Sequence, residues 1–190
     1  MKKRLAIFAS GFGTNAQNIC NYFRTSSDIE VSLICSNNKN SQAIIRAKKL
    51  KIPTLLFRKS DLETFESLAV FLENKKINYL ILAGFLLKIP GKMIDHYHNK
   101  ILNIHPSLLP KYGGKGMYGK NVHAAVLTNN DRKSGITIHL VNNNYDDGKI
   151  LFQKSCIVSK HETVDSLSKK VQVLEKTYFP KILEKFILKH

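Results

Sequence analysis

Short apolar runs alternate with longer amphipathic segments through the first half of the chain, and this alternation constrains the fold more than any other feature. The apolar runs, each of strand length, are Arg4–Ala9, Glu30–Ser36, Pro53–Phe57, Tyr79–Ala83 and Ile101–Ile104. The segments between them, with helical periodicity, are Asn15–Phe23, Gln42–Leu50, Ser60 to about Lys75, and Pro90–Tyr97. Because strands that alternate with helices form parallel sheets covered on both faces, we predict an α/β fold with a mostly parallel, twisted sheet flanked by helices.

The second half of the chain departs from this pattern. A helix is predicted at Asn121–Thr128, and an alternating strand follows at Gly135–Val141. Lys149–Val158 has the composition of a further strand, which we expect to pair beside the preceding one in antiparallel orientation. The last segment, from Thr163 to about Leu188, is predicted to be helical, and Pro180 is expected to kink or divide it.

Length and composition are those of an ordinary globular protein. The 190 residues are enough for one sizeable core, so we predict a single domain over residues 1–190. Apolar residues make up 43% of the chain, yet no apolar run approaches the ~18 residues of a membrane-spanning helix. The apolar part of Met1–Ala9 is too short for a signal peptide and is better explained as a first strand. We therefore expect a cytoplasmic protein without a membrane partner.

The chain is strongly basic, with a net charge of +16 from 30 Lys and Arg residues and 14 Asp and Glu residues. Such a charge favours anionic partners, among them nucleic acids. However, the lysines are spread over the whole chain, without an arginine-rich block or interleaved aromatic residues. A lysine-covered surface or a phosphorylated substrate explains this diffuse charge better, and we predict small-molecule substrates and no nucleic-acid partner.

Residues that commonly bind metals do not form a recognisable set. Cys20, Cys35 and Cys156 are widely separated and show neither a C-x-x-C pair nor the spacing of a zinc site. His96 and His98 are two residues apart in a predicted helix or helix end, where such positions do not share a face. We therefore predict no metal site.

A glycine-containing turn, Ser10–Ala16, joins the first predicted strand to the first predicted helix. Its glycines permit a tight turn, and the free N–H groups at the start of the helix can bind a phosphate. The turn also fits the dinucleotide pattern G-x-G-x-x-A, but Cys35–Asn38 at the end of the second strand offers no carboxylate for a ribose diol. Lys39 or Arg46 could accommodate NADP instead, but no other residue points to nicotinamide. We therefore favour a phosphomonoester, with a plain strand–helix turn as the remaining alternative.

An amide and an imidazole lie two residues apart in Asn103-Ile104-His105-Pro106, at the end of an apolar run. On a strand, Asn103 and His105 project from the same face, and Pro106 ends the strand because it has no N–H to donate. An amide that can polarise a carbonyl would then lie beside a ring that can move a proton at neutral pH.

Two later turns also contain functional candidates. Gly113–Gly119, dense in glycine, has the flexibility of a substrate flap, although a solvent loop without function has the same composition. The turn Asn144–Gly148 contains two adjacent acidic residues, Asp146 and Asp147. One of them could orient His105 and favour its charged form, which would complete an amide–imidazole–carboxylate set.

Taken together and in this order, these elements resemble the glycinamide ribonucleotide formyltransferases, the folate-dependent enzymes of purine synthesis. The resemblance extends from Leu5 to about Phe179. Its segments are Gly11-Phe12-Gly13-Thr14-Asn15, Ala83-Gly84-Phe85, Asn103-x-His105-Pro106-Ser107-Leu108-Leu109-Pro110-Lys111-Tyr112, Gly135-Ile136-Thr137-Ile138-His139 and Asp146-x-Gly148. It implies a Rossmann-like formyltransferase fold and direct formyl transfer from 10-formyltetrahydrofolate to the amine of glycinamide ribonucleotide, with no metal.

The resemblance also implies roles for individual residues. Asn103 and His105 would stabilise the tetrahedral intermediate and move its proton, while Asp146 would keep His105 protonated. The expected substrate-binding residues are Gly13, Thr14 and Asn15 for the phosphate, and Gln172 and Glu175 for the ribose. The expected folate-binding residues are Leu86, Leu87, Lys88, Ile89, Asn103, Val141 and Tyr145.

Three positions depart from the family pattern. Many relatives carry an arginine where Leu87 stands, which removes one expected folate contact. Asp147 replaces the first glycine of a D-G-G turn, and Asp146 is aligned by its distance from His139. The glycine-rich loop is longer than in many relatives, and His123 beyond it has no assigned role.

Other readings of the same residues remain. Methionyl-tRNA formyltransferase shares the chemistry but needs a tRNA-binding domain, for which 190 residues leave no room. Formyltetrahydrofolate hydrolase usually carries an additional N-terminal regulatory domain, whereas here the first strand begins near Arg4. A non-catalytic nucleotide- or nucleic-acid-binding module would explain the glycine turn and the charge, but not Asn103, His105 and Asp146 together. We expect a monomer or a homodimer.

Overall fold

Seven strands form one sheet in this protein, whose computed structural model describes all residues from 1 to 190. The strands are β1 (Lys3–Phe8), β2 (Ile29–Ser36), β3 (Thr54–Leu56), β4 (Tyr79–Leu82), β5 (Ile101–His105), β6 (Lys133–Leu140) and β7 (Ile150–Ile157). Their order across the sheet is β3-β2-β1-β4-β5-β6-β7. The first five strands run parallel, whereas β6 is antiparallel to β5 and β7 is antiparallel to β6. The predicted mostly parallel α/β sheet is thereby confirmed.

Seven helices connect and cover these strands. They are α1 (Thr14–Phe23), α2 (Gln42–Lys49), α3 (Lys59–Thr64), α4 (Glu66–Asn74), α5 (Gly91–His96), α6 (Lys120–Thr128) and α7 (Val164–Lys189). Side chains of a strand alternate between the two faces of the sheet. Accordingly, Leu5 and Ile7 of β1 pack with α1, α2, α6 and α7, whereas Ala6 and Phe8 pack with α3, α4 and α5. Each large aliphatic side chain so buried contributes about 1.5–3 kcal/mol to folding.

The predicted strands are all present, and their ends differ from the prediction by at most two residues. The helix predicted from Ser60 to about Lys75 starts within one residue of its predicted position, but its predicted continuity is wrong. It begins at Lys59, because the Asp61 carboxylate accepts the backbone N–H of Arg58 at 2.8 Å. It is also broken at Phe65, whose left-handed backbone, with φ +60°, ends α3 and allows its ring to be buried at 3% exposure.

The sequence predicts that Pro180 kinks or divides the last helix, and the division is wrong. α7 continues from Val164 to Lys189 with Pro180 inside it. Pro180 lies on the buried face of α7, next to the fully buried Phe179. We infer that burial of this face outweighs the hydrogen bond that proline cannot make. Neither α7 nor any shorter helix combines the length and apolarity needed to cross a membrane.

The topology brings three loops to one edge of the sheet. β1, β4 and β5 are neighbouring parallel strands, so their carboxyl ends lie side by side. The loop after β1 contains the glycine turn, β4 leads into Ala83–Leu86, and β5 ends at His105. In open α/β sheets, ligands bind at this edge, outside the carboxyl ends of the strands.

Candidate active site

A cavity of about 670 Å³ lies at the carboxyl ends of β1, β4 and β5. One wall contains the glycine turn with Gly13, and another contains Asn103 and His105. The loop after β6 contributes Asp146, and α7 contributes Gln172. The cavity therefore brings together chain segments that are far apart in the sequence.

His105 is the last residue of β5 and is 4% exposed. Its Nε2 atom lies 2.7 Å from the backbone carbonyl oxygen of Tyr112, and its Nδ1 atom lies 3.4 Å from Oδ1 of Asp146. Both of these partners are hydrogen-bond acceptors, so each ring nitrogen is best served when it carries a proton. The geometry therefore favours the charged imidazole.

Asp146 lies in a turn with a left-handed backbone, φ +52°, which aspartate tolerates better than most residues. Its Oδ2 atom accepts the backbone N–H of Gly114 at 2.9 Å, and its Oδ1 atom faces His105 and His139. Burial opposes ionisation of Asp146, but the hydrogen bond from His105, the charge of His105 and the hydrogen bond from the Gly114 N–H outweigh it. The pKa of Asp146 therefore lies well below its usual range.

The neighbouring carboxylate, Asp147, points elsewhere. It is bound by the side-chain amides of Asn142 and Asn144, at 3.4 and 3.1 Å, and these hydrogen bonds lower its pKa. Of the two acidic residues that the sequence left as alternatives, Asp146 is therefore the one that reaches His105.

His139 is a residue that the sequence analysis did not assign to the site. It lies directly opposite Asn103 in the antiparallel pair of β5 and β6. Its Nδ1 atom is 2.8 Å from the carbonyl oxygen of Leu140, so Nδ1 carries the proton and Nε2 is free to accept. The Asn103 amide donates to this Nε2 at 3.1 Å and to Oδ1 of Asp146 at 3.4 Å. The sequence signal that could have identified His139 is the alternation of β6, which puts Thr137 and His139 on the same face of the strand.

Two hydrogen-bond donors consequently converge on one point. The amide nitrogen of Asn103 and Nδ1 of His105 are each 3.4 Å from the same oxygen of Asp146. Both contacts are long, so each donor is available to a ligand oxygen placed between them. Such a pair can stabilise negative charge that develops on a carbonyl oxygen under attack.

At the other end of the cavity, α1 begins at Thr14 with open backbone N–H groups. Gly13 precedes it with a left-handed backbone, φ +70°, and no side chain caps the helix. No acidic residue lies in its first turn, so an anion would meet both the free N–H groups and the positive end of the helix dipole. Thr14 and Asn15 both line the cavity.

The predicted ribose-binding residues lie on α7, on the same cavity wall. Gln172 and Glu175 both line the cavity. The Asn15 amide donates to Oε2 of Glu175 at 2.9 Å, which ties the start of α1 to α7. Burial raises the pKa of Glu175, although the hydrogen bond from Asn15 opposes this rise.

The predicted folate-binding residues lie around two adjoining cavities. Leu86 lines the main cavity, whereas Leu87, Lys88, Ile89 and Val141 line a smaller one of about 70 Å³. The two cavities share four residues, which are Phe85, Asn103, Tyr145 and Asp146. Leu87 gives this cavity an apolar side chain. The adjacent residue, Lys88, carries a positive charge, and its Nζ atom lies 5.8 Å from the ring centre of Tyr145.

The glycine-rich loop covers part of the main cavity, with Gly114–Gly119 among the lining residues. The sequence left a substrate flap and a solvent loop without function as alternatives for this loop, and its position over the cavity favours the flap. An ion pair of 2.7 Å between Lys120 and Asp165 joins the end of the loop to α7. His123 also lines the cavity, is 3% exposed, and has a buried Nδ1 atom without a partner. Burial, followed by the charge of His105, lowers the pKa of His123.

We expect Gly13→Val to damage both the fold and the anion site. A Cβ atom at Gly13 would lie 2.5 Å from Cα of Ala43, and the left-handed backbone would add strain. The free energy of unfolding should fall by about 1–3 kcal/mol or more. Gly11→Val is the matched control, because a Cβ atom at Gly11 meets nothing within 4 Å. Thermal unfolding and phosphate binding of the two variants would test this, and equal behaviour of both would contradict it.

Comparison with known proteins gives one consistent result. The family model described as "Formyl transferase" matches residues 3–183. The chain is 39% identical over 178 residues to the chloroplastic phosphoribosylglycinamide formyltransferase of Arabidopsis thaliana, covering 90% of this chain and 60% of that protein. It is 30% identical to the phosphoribosylglycinamide formyltransferase of Haemophilus influenzae, covering 97% of this chain and 87% of that protein.

Solved structures agree with the sequence relatives. The crystal structure of phosphoribosylglycinamide formyltransferase from Bacillus halodurans has a TM-score of 0.88 and 29% identity, covering 97% of this chain and 95% of that chain. The chain spans about 60% of the length of the two plant relatives it matches. The resemblance inferred from the motifs is confirmed, and this chain belongs to the formyl transferase family.

Proposed function

We propose that this protein transfers the formyl group of 10-formyltetrahydrofolate to the amine of glycinamide ribonucleotide. The products are the N-formyl ribonucleotide and tetrahydrofolate, in de novo purine synthesis. The convergence of Asn103, His105 and Asp146 in a cavity that ends at an open helix N-terminus is the observation that carries this proposal. Residues 1–190 would form one formyltransferase domain.

The ribonucleotide would lie between α1 and the reacting groups. Its phosphate would accept hydrogen bonds from the backbone of Gly13, Thr14 and Asn15, where the dipole of α1 favours negative charge. Its ribose would contact Gln172 and Glu175 on α7. With these contacts made, the amine would extend toward His105, so that the reacting atoms are oriented before the reaction begins.

Formyl transfer then requires stabilisation of one oxyanion and two proton movements. The amine nitrogen attacks the formyl carbon, and the π electrons of the carbonyl move to its oxygen. Asn103 and the charged His105 donate hydrogen bonds to that oxygen. The amine loses a proton, and the oxyanion then re-forms the carbonyl as the bond from carbon to N10 breaks. The electron pair of that bond leaves on N10, which gains a proton. Asp146 keeps His105 oriented and charged throughout.

The family uses a folate-type formyl donor. For 10-formyltetrahydrofolate, the apolar walls of the smaller cavity at Leu87, Ile89 and Val141 suit one edge of the pterin ring. Leu86 and Tyr145 would contact the part that enters the main cavity. Asn103 lines both cavities, which would place the formyl group beside it. The folate would supply the activated formyl group, and the chain would bind and orient it.

The test of the function is an assay of formyl transfer from 10-formyltetrahydrofolate. We expect tetrahydrofolate to form only when glycinamide ribonucleotide is also present. Tetrahydrofolate and formate produced without the ribonucleotide would identify a hydrolase instead. Tight RNA binding without any transfer would favour the non-catalytic alternative. Gel filtration would test the predicted monomer or homodimer, and the predicted cytoplasmic location requires a separate measurement in cells.

Cofactor preference gives an independent prediction. The loop after β2, which begins at Asn37, offers no carboxylate for the ribose diol of NAD. We therefore expect calorimetry to show binding of a stable formyl-folate analogue and no comparable binding of NAD or NADP. Tight nicotinamide binding without folate binding would overturn the proposed function.

A further inference from the structure

The glycine turn is held from behind by α2. The carbonyl oxygen of Gly11 accepts hydrogen bonds from the Ser41 hydroxyl at 3.0 Å and from the Ala43 backbone N–H at 3.3 Å. The next carbonyl, that of Phe12, accepts Nε of Arg46 at 3.0 Å. In a trans peptide, the C=O and the following N–H point in opposite directions. Two consecutive carbonyls fixed toward α2 therefore turn the following N–H groups away from α2.

Arg46 also joins this turn to α1. Its Nη1 atom donates to the side-chain oxygen of Gln17, the fourth residue of α1. The backbone N–H of Gln17 in turn bonds to the carbonyl oxygen of Gly13 at 2.9 Å. One planar guanidinium thus binds both the glycine turn and α1, the helix whose N-terminus faces the cavity. Because its N–H groups have fixed directions, it holds the turn and the helix at a fixed distance from each other.

The charge of Arg46 is not neutralised by a neighbouring acid. Its hydrogen-bond partners are a backbone carbonyl and an amide oxygen. None of the ten ion pairs in the structure includes it. A full positive charge therefore lies directly behind the glycine turn.

Apart from His105, which faces the carboxylate of Asp146, the cavity provides little fixed positive charge. Among its 26 lining residues, Lys115 is the single Lys or Arg, and it lies on the glycine-rich loop. Two carboxyl groups, those of Asp146 and Glu175, line the same cavity. Binding of a phosphate of charge near −2 at the start of α1 therefore relies on the backbone N–H groups and the helix dipole. A positive charge on the far side of the glycine turn, such as that of Arg46, would add to this attraction.

We propose that Arg46 is a positioning residue for the phosphate of the ribonucleotide. It aims the N–H groups of the glycine turn at the phosphate, and it adds a positive field from behind without contacting the ligand. This proposal rests on the proposed function, because it assumes a phosphorylated ligand at the start of α1. It predicts that Arg46 affects binding of the phosphate and not the formyl-transfer step.

The test compares Arg46→Gln and Arg46→Lys with Lys48→Gln, which removes one charge from an exposed position of the same helix. Ribose 5-phosphate is the probe for calorimetry, since its binding does not depend on formyl transfer. We expect Arg46→Gln to weaken it about tenfold or more, the scale of a lost charge-assisted contact. Arg46→Lys, which keeps the charge but not the fork, should be intermediate, and Lys48→Gln should bind like the wild type.

In the transfer assay, Arg46→Gln should raise the KM for glycinamide ribonucleotide about tenfold, with kcat and the KM for the folate within about twofold. A wild type that binds no ribose 5-phosphate would overturn the proposal, as would an Arg46→Gln variant that binds it within twofold of the wild type. Equal losses in kcat and both KM values would indicate general damage to the fold and also overturn it. A wild type that binds the sugar phosphate but transfers no formyl group would reject only the proposed function.

Discussion

Replacement of Asp146 by Asn should lower kcat by on the order of 10²-fold or more at neutral pH, the scale of one well-placed charged or acid–base group. The substitution keeps the shape of the side chain but removes the negative charge that lies 3.4 Å from Nδ1 of His105. The imidazolium of His105 then lacks its anionic partner and stabilises the developing oxyanion less well. The KM values should change much less, because the charge is needed mainly when the oxyanion develops.

Asp147→Asn is the matched control for this experiment. It removes the same charge from the adjacent residue, whose carboxylate is bound by Asn142 and Asn144 rather than by a histidine. We expect it to retain most of the wild-type rate, while His105→Ala should be at least as damaging as Asp146→Asn. Loss of activity in Asp147→Asn alone would contradict the geometry, and a fully active His105→Ala would reject the mechanism.

The direction of the pKa shift at Asp146 also predicts its contribution to stability. Because the pKa is lower in the folded state than in the unfolded state, ionised Asp146 stabilises the fold above its ordinary pKa, near 4. That contribution is lost only as the pH falls below the ordinary pKa toward the lower pKa that Asp146 has in the folded protein. In acid titrations followed by circular dichroism, wild type and Asp146→Asn should therefore differ most in stability above this range and converge below it.

The sequence was sufficient for those features that depend on local periodicity. Strand alternation predicted that Asn103 and His105 share one face, and both line the cavity. The alternation of Gly135–Val141 predicted the strand β6, whose Ile136 and Ile138 are buried in the core. Turn chemistry placed the glycine turn between β1 and α1. These predictions held because each depends on residues that are neighbours in the chain.

Features that depend on contacts between distant segments could not be obtained in this way. Asn15 and Glu175 are 160 residues apart, yet their side chains form one hydrogen bond in the cavity. His139 reaches Asn103 because of the antiparallel register of β5 and β6, which the alternation alone does not give. The break at Phe65 likewise arises because a buried ring in the core outweighs local helix preference.

Asn103→Ala should lower kcat by about 10²–10³-fold, the cost of removing one oxyanion donor from a preorganised site. The amide nitrogen of Asn103 is held by Nε2 of His139 at 3.1 Å and lies 3.4 Å from Asp146, so it is fixed in place before the substrate arrives. No reorganisation of the donor is then needed as charge develops on the formyl oxygen. The KM for glycinamide ribonucleotide should remain nearly constant, because the phosphate contacts lie at the other end of the cavity.

The variant Asn103→Asp tests whether residue 103 must donate a hydrogen bond to the oxyanion or must only fill its space. It preserves the shape but replaces the donating NH₂ group by an oxygen and brings a second carboxylate close to Asp146, where the two negative charges repel each other. We expect it to be at least as slow as Asn103→Ala at neutral pH, and to recover partly as the pH falls and one carboxyl group binds a proton that it can donate. If Asn103→Asp instead keeps the wild-type rate at neutral pH, the amide is not a donor to the oxyanion, and stabilisation would have to come from His105 alone.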